Sequence, residues 1–237
     1  AHSPYQYALE EPPLRSELFN ADQMEQHGKY LAAAHQVAIG RPKGSLLARL
    51  AENERVLVEV CNLLTTAIAA NHRVTPAGEW LLDNFYLIEE QIRIAKRHLP
   101  LRYSRELPYL LEGPSAGLPR VYDIALETIS HGDGQFGPGR LSRLVAAYQS
   151  VDVLTLGELW AIPIMLRLAL IENLRRVSTQ IAADRLDRNR AGYWAEQMID
   201  IAKRDPKSLI LLTADMARSR PPMSAALVSE MARRLQG

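Results

Sequence analysis

The sequence predicts an all-α protein, an irregular multi-helix bundle of about nine or ten helices around one central apolar helix. Three observations carry that expectation. Between Leu159 and Ile171 every residue is apolar except Arg167, and a helix without a wet face has to be covered by protein or by lipid. Helix-start signals recur along the chain, whereas alternating strand signals do not. The composition, 47% hydrophobic and 23% charged over 237 residues, is that of a globular chain able to bury a sizeable core.

The elements follow in order. Residues 1–13 carry no periodic pattern and read as an extended or disordered leader, with a single all-α domain over 14–237. Asn20 and Gln23 form a capping box for a helix through about Val37. Ser45 caps LLARLAENERVLVEVCNLLTTAIAA, where Leu50, Leu57, Cys61, Leu64 and Ile68 keep helical spacing. Thr75 and Pro76 supply a cap and a first-turn proline for a helix over 76–98. Pro119 opens another, and the glycine-rich HGDGQFGPG at 131–139 is a loop and the expected hinge. Gly139 precedes the next helical stretch, RLSRLVAAYQSV. Thr155 and Glu158 make the strongest capping box, at the head of the apolar helix over 156–183. Pro163 lies beyond its first turn and is expected to kink or end it. Further helices are expected over about 189–204, after Pro206, and from about Ser224 to Leu235.

Bulk properties exclude several classes. The apolar run of the central helix falls short of the roughly 20 residues a membrane span needs. Cys61, the single cysteine, excludes an internal disulfide and reads as a core residue rather than a nucleophile. The net charge of +1 hides an asymmetry. Residues 1–174 carry 16 Lys+Arg against 20 Asp+Glu, and residues 175–237 carry 12 against 7. A basic last quarter suits solvated helix faces, an acidic partner or an anionic membrane surface. Nucleic acid is not expected as a partner, because no basic cluster is interleaved with stacking aromatics.

Chemical motifs are sparse. The histidines look scattered, His131 and Asp133 alone make a weak metal pair, and no phosphate loop, nucleophile elbow or Asp-x-Asp occurs. No catalytic, cofactor or metal residue is therefore assigned. Two polar-in-apolar segments remain, WLLDNFYLIEEQIR at 80–93 and the Arg167 helix ending in Glu172, Asn173, Arg175 and Arg176. Arg167 and Glu172 stand about 140° apart on a helix, so Arg167 is expected to pair with Asp83, Glu89 or Glu90. Tyr86 and Tyr148 sit beside apolar stripes and read as packing residues. Trp80 and Trp160, next to helix starts, are candidates for sugar stacking, and Trp194 stands at helical spacing from Met198, which favours packing.

The same segments carry a resemblance. WLLDNFYLIEEQI at 80–92 and LGELWAIPIMLRLALIENLRR at 156–176 resemble the N-terminal region of the cyclic β-1,2-glucan synthases. So do LAENERVLVEV at 50–60, RELPYL at 105–110, LPRVYDIALE at 118–127 and AYQSVDVLTLGELW at 147–160. The similarity covers about residues 14–185. It implies a fragment of a large bacterial inner-membrane enzyme, lying on the cytoplasmic face ahead of the first membrane span. Ala1 in place of a methionine and an end in mid-pattern fit that expectation. The parent is expected to transfer glucose from UDP-glucose with a divalent metal, using aspartates and a Gln-x-x-Arg-Trp-like motif that this chain does not contain. The resemblance thus implies a non-catalytic docking domain that contacts other domains of the same polypeptide, through a face around Asp83–Gln91 and Glu172–Arg176. The alternatives are a carbohydrate- or nucleotide-binding domain with its own site, and a free-standing helical scaffold.

Overall fold

Side-chain caps start the helices close to where the sequence places them. The Ser3 hydroxyl accepts from the Gln6 N–H and opens α1 (Pro4–Glu10). Asn20 and Gln23 close the expected capping box at α2 (Ala21–Ala34). Ser45 caps α3 (Leu46–Ala69), and Thr75 with Pro76 opens α4 (Pro76–Asp83). The helix expected over 76–98 breaks at Asn84, whose side-chain amide donates to the Trp80 carbonyl, and resumes as α5 (Phe85–His98). Then come α6 (Arg120–Ser130), α7 (Pro138–Gln149) and α8 (Leu156–Arg204), the last opened by the Thr155–Glu158 box. A 3-10 turn at Pro206–Ser208 leads into α9 (Leu209–Arg218), and Ser224 caps α10 (Ala225–Leu235). The computed structural model describes residues 3–14, 17–40, 44–99, 106–132, 138–219 and 223–236. Among them the protein is all-α, apart from a two-residue antiparallel ladder pairing Val37 with Leu110 and Ala38 with Tyr109. No helix among the described residues is long and apolar enough to cross a membrane.

α8 is the spine. Its 49 residues extend about 74 Å at 1.5 Å per residue. Helices α1, α3, α5 and α6 pack along it, and α10 packs on its C-terminal half. The main core joins Leu50, Leu57 and Leu64 of α3, Ile88 and Ile92 of α5, Tyr122 and Ile129 of α6, and Ala161, Met165 and Leu168 of α8. A second cluster joins Ala191 and Ala195 of α8 to Met216, Leu227 and Met231, with Trp194 and Met198 against it. Helices α2 and α7 pack closely on each other at Gly28, where a Cβ would stand 2.8 Å from the Leu144 carbonyl oxygen. Only glycine permits that approach.

Several expectations are corrected. Residues 4–10 are helical rather than an extended leader, because Ser3 caps them and Ala8 is buried. Of the two outcomes expected at Pro163, a kink or an end, the helix does not end there: Ala161 and Met165 on either side are fully buried, and their packing outweighs the lost hydrogen bond. The separate helix over 189–204 is the continuation of α8, whose polar middle is laced by Gln180–Asp184 and Arg190–Asp187 contacts. Tyr86 is 65% exposed and Ile68 is also at the surface, whereas Tyr148 is fully buried as expected. The expected hinge at 131–139 lies for the most part outside the described residues.

Candidate functional site

The charged centre of the molecule forms where α8 meets α3. The stripe of Ala161, Met165 and Leu168 continues at helical spacing to Glu172 and Arg175, so these charges point inward too. On α3 the stripe of Leu46, Leu50 and Leu57 carries Asn53, with Arg49 one turn before it. Glu172, 0% exposed, accepts from Arg49 Nε at 3.1 Å and Nη2 at 2.5 Å, and from Asn53 Nδ2 at 2.9 Å. It accepts again from Arg175 Nη2 at 2.8 Å and Arg176 Nε at 2.9 Å. Burial alone would push this carboxyl up, but the guanidiniums, Arg49 foremost, hold it down at about 2.

The cluster also fastens the segment after α1. Glu11 accepts from Arg49 Nη2 at 2.8 Å and from Arg175, and the Arg175 guanidinium lies 5.3 Å from the centre of the Tyr7 ring. Arg176 donates to the Pro12 carbonyl, and the Leu14 N–H donates to Asn173 at 2.8 Å. Arg175 Nη1 is buried without a hydrogen-bond partner among the described residues; stacking on Tyr7 offsets part of that cost.

A second ionic clamp holds the approach to α8. Arg120 donates to Glu158 through Nε at 2.6 Å and Nη2 at 3.0 Å, and also to Asp152 and the Val153 carbonyl. Its guanidinium lies 5.7 Å from the centre of the Tyr148 ring. Tyr148 in turn meets His35, whose other ring nitrogen lies 3.2 Å from Asp123. Burial pushes the Tyr148 hydroxyl up to about 12.

Two concavities stand out. An apolar groove of about 640 Å³ runs between α5 and α8, lined by Leu87, Ile88, Leu166, Leu170, Leu174 and Val177, with Gln91, Pro163 and Arg167 at its walls. A more polar cavity of about 670 Å³ lies under residues 10–14 and is bounded by Arg49, Tyr122, Asp123, Glu127 and Arg176. Beside it His27, Glu127 and His131 converge, with a nitrogen or carboxylate oxygen from each within 4.8 Å of the others.

The structure thus redistributes the residues singled out from the sequence. Arg167 is half buried in the groove wall and makes no ion pair among the described residues, while Asp83, Glu89 and Glu90 are exposed. The α5 stripe of Ile88, Ile92 and Ala95 turns those acids outward, which is why the expected buried pair does not form. Of the expected docking face, Gln91 stays at the surface, but Glu172 and Arg175 are core residues and Arg176 is largely covered. Trp160 is 75% exposed and Trp80 55%, so both rings are open to solvent. Cys61 is buried, and burial with Glu89 nearby pushes its thiol up to about 11, as befits a core residue. Sequence reasoning missed Arg49, Asn53, Glu11 and Arg120. Asn53 left a signal, since it interrupts an apolar stripe at core spacing. Glu127 and His131, four residues apart at the end of one helix, left another.

No protein-family model matches the chain. It is 34% identical over 187 residues to cyclic β-(1,2)-glucan synthase NdvB of Rhizobium meliloti (strain 1021). That alignment covers 78% of this chain and 7% of the relative, so the chain spans a small part of the relative's length. An identity of that extent over most of the chain shows that it corresponds to the N-terminal region of a cyclic β-1,2-glucan synthase.

Proposed function

We propose that this chain is a non-catalytic docking domain of a cyclic β-1,2-glucan synthase, seated against another part of the same polypeptide at the cytoplasmic face of the bacterial inner membrane. The observation that carries the reading is the apolar groove between α5 and α8. Leu87 and Leu170 are more than 40% exposed there, and a contiguous apolar surface of this kind marks an interaction site. The relative extends far beyond the aligned 7%, which supplies a covering partner without invoking a second protein. On this reading UDP-glucose, its divalent metal and the transfer chemistry belong to other parts of the parent. The docking face moves from Glu172–Arg176 to the groove, with Gln91 and Arg167 at its walls.

Leu87→Glu and Leu170→Glu, placed in the full-length synthase, test the proposal. Both should cut glucan synthesis in membranes at least about tenfold while leaving the melting temperature of the 237-residue chain unchanged, because neither side chain is a core residue. Wild-type synthesis by the double variant would overturn it. The exposed Trp80 and Trp160 favour a second reading, a carbohydrate site of the domain's own. Quenching of their fluorescence by β-1,2-glucan, lost in Trp160→Leu, would establish that site, and a flat titration to millimolar glucan would dismiss it.

A further inference from the structure

We infer that His27, Glu127 and His131 form a binding site for one divalent transition-metal ion of the zinc class. Glu127 and His131 stand four residues apart at the end of α6 and so share a face, and His27 reaches them from α2. His27 Nε2 lies 2.8 Å from Glu127 Oε2, and His131 Nε2 lies 3.4 Å from the same oxygen. In a tetrahedral zinc site with bonds of about 2.0–2.1 Å, neighbouring ligand atoms are about 3.3 Å apart. The two observed spacings bracket that value, and the three ligand atoms all lie within 4.8 Å of one another.

The ring orientation supplies an independent argument. His131 Nδ1 lies 2.7 Å from the Glu17 backbone carbonyl. A carbonyl oxygen only accepts, so Nδ1 carries the proton and Nε2 faces the carboxylate. A histidine whose far nitrogen donates to a backbone carbonyl is the usual arrangement behind a metal ligand. Phe19 stacks on the His131 ring with centroids 3.7 Å apart and planes 9° from parallel, which holds the ring in place. Two imidazoles and one carboxylate select zinc-like ions over magnesium or calcium, which take oxygen ligands. Glu127 also borders the 670 Å³ cavity, which leaves room for a water or another donor at a fourth position. This ligand set is unlike the aspartates expected to hold metal and UDP in the parent's transferase, and the inference stands whether or not the docking reading does.

The test uses the 237-residue chain, stripped with a chelator and titrated calorimetrically with zinc chloride, with cobalt(II) absorption as a second probe of coordination. One ion should bind per chain. His27→Ala and His131→Ala should each weaken binding at least about tenfold, as losing groups around a metal does. The exposed His72→Ala should bind as wild type. Because His131 also contacts Glu17 and Phe19, imidazole NMR of the unsubstituted chain guards against misfolded variants. Zinc should shift the ring signals of His27 and His131 and leave those of His72 and His98 in place. Absence of saturable one-to-one binding, or binding with the His27 and His131 signals unmoved, would overturn the site.

Discussion

Two stretches of the chain carry the same local motif in opposite settings. IENLRR at 171–176 and SEMARR at 229–234 both place a glutamate three and four residues ahead of two arginines. Both form the two helical pairs: Glu172 with Arg175 and Arg176, at 2.8 and 2.9 Å, and Glu230 with Arg233 and Arg234, at 2.7 and 2.9 Å. Both carboxyls sit at about 2, but for different reasons. For Glu230 the hydrogen bonds from Arg233 and Arg234 suffice. For Glu172 burial works the other way and is overcome by Arg49 from α3, with Arg175 and Arg176 adding to it. The helix repeat therefore makes the pairs, and tertiary position decides what they contribute. At the surface, water competes for every contact. Inside, an uncompensated charge has nowhere to go.

The largest expected effect sharpens that contrast. Glu172→Gln leaves Arg49 and Arg175 with Glu11 as their remaining carboxylate partner here, and should cost about 3–5 kcal/mol in urea unfolding. Replacing Glu172, Glu11, Arg49, Arg175 and Arg176 together by apolar residues of similar volume should be far milder, because the whole charged cluster then leaves together and no covered charge keeps an empty partner position. A Glu172→Gln variant as stable as Glu230→Gln would break the comparison, since it would show that burial adds nothing to the motif.

The next effect is the pH dependence of the same difference. The folded Glu172 carboxyl, at about 2, lies below its ordinary 4.5, so the unfolded chain binds the proton more readily. Its contribution is fully present above about pH 5 and is lost progressively as pH falls toward 2. The gap in urea midpoint between wild type and Glu172→Gln should be constant from pH 7 to 5 and narrow steadily below. A gap that stays level down to pH 3 would mean that shape, not charge, makes the glutamate necessary.

The comparison also separates what could be read from the sequence from what could not. The caps at Asn20, Ser45, Thr75 and Thr155 were legible because a cap and the backbone N–H it accepts from lie within three residues of each other. The all-α class followed from them, and the correspondence to the synthases from the matched blocks. Arg49 and Glu172 lie 123 residues apart, and local periodicity does not say which distant helix supplies a partner. Part of the signal was nevertheless present. Glu172 continues the spacing of Met165 and Leu168, and Asn53 falls between Leu50 and Leu57 on a core stripe. Arg167 was misassigned for a related reason. A helix apolar on all sides suggests that every side is covered, yet Leu170 stays open to solvent in the groove. His27 lies 100 residues from Glu127, so its part in the metal site was hidden, although the Glu127–His131 spacing was in plain view.

The smallest expected effect tests the surface half of the comparison. Arg233 is 70% exposed and Arg234 42%, so Glu230→Gln should cost no more than about 1 kcal/mol despite its low carboxyl value. That cost should disappear at about 1 M salt, where the screening length falls to about 3 Å. The Glu172→Gln cost should survive the same salt, because ions do not enter the core. Arg234 needs a separate control, since its guanidinium lies 3.2 Å from where a Cβ would stand on Gly192 of α8. Truncating it removes packing against α8 as well as a charge, so Arg234→Met rather than Arg234→Ala is the variant that isolates the ion pair. A salt-resistant loss in Glu230→Gln would show that the second cluster, around Ala195, Leu227 and Met231, shelters its glutamate much as the main core shelters Glu172.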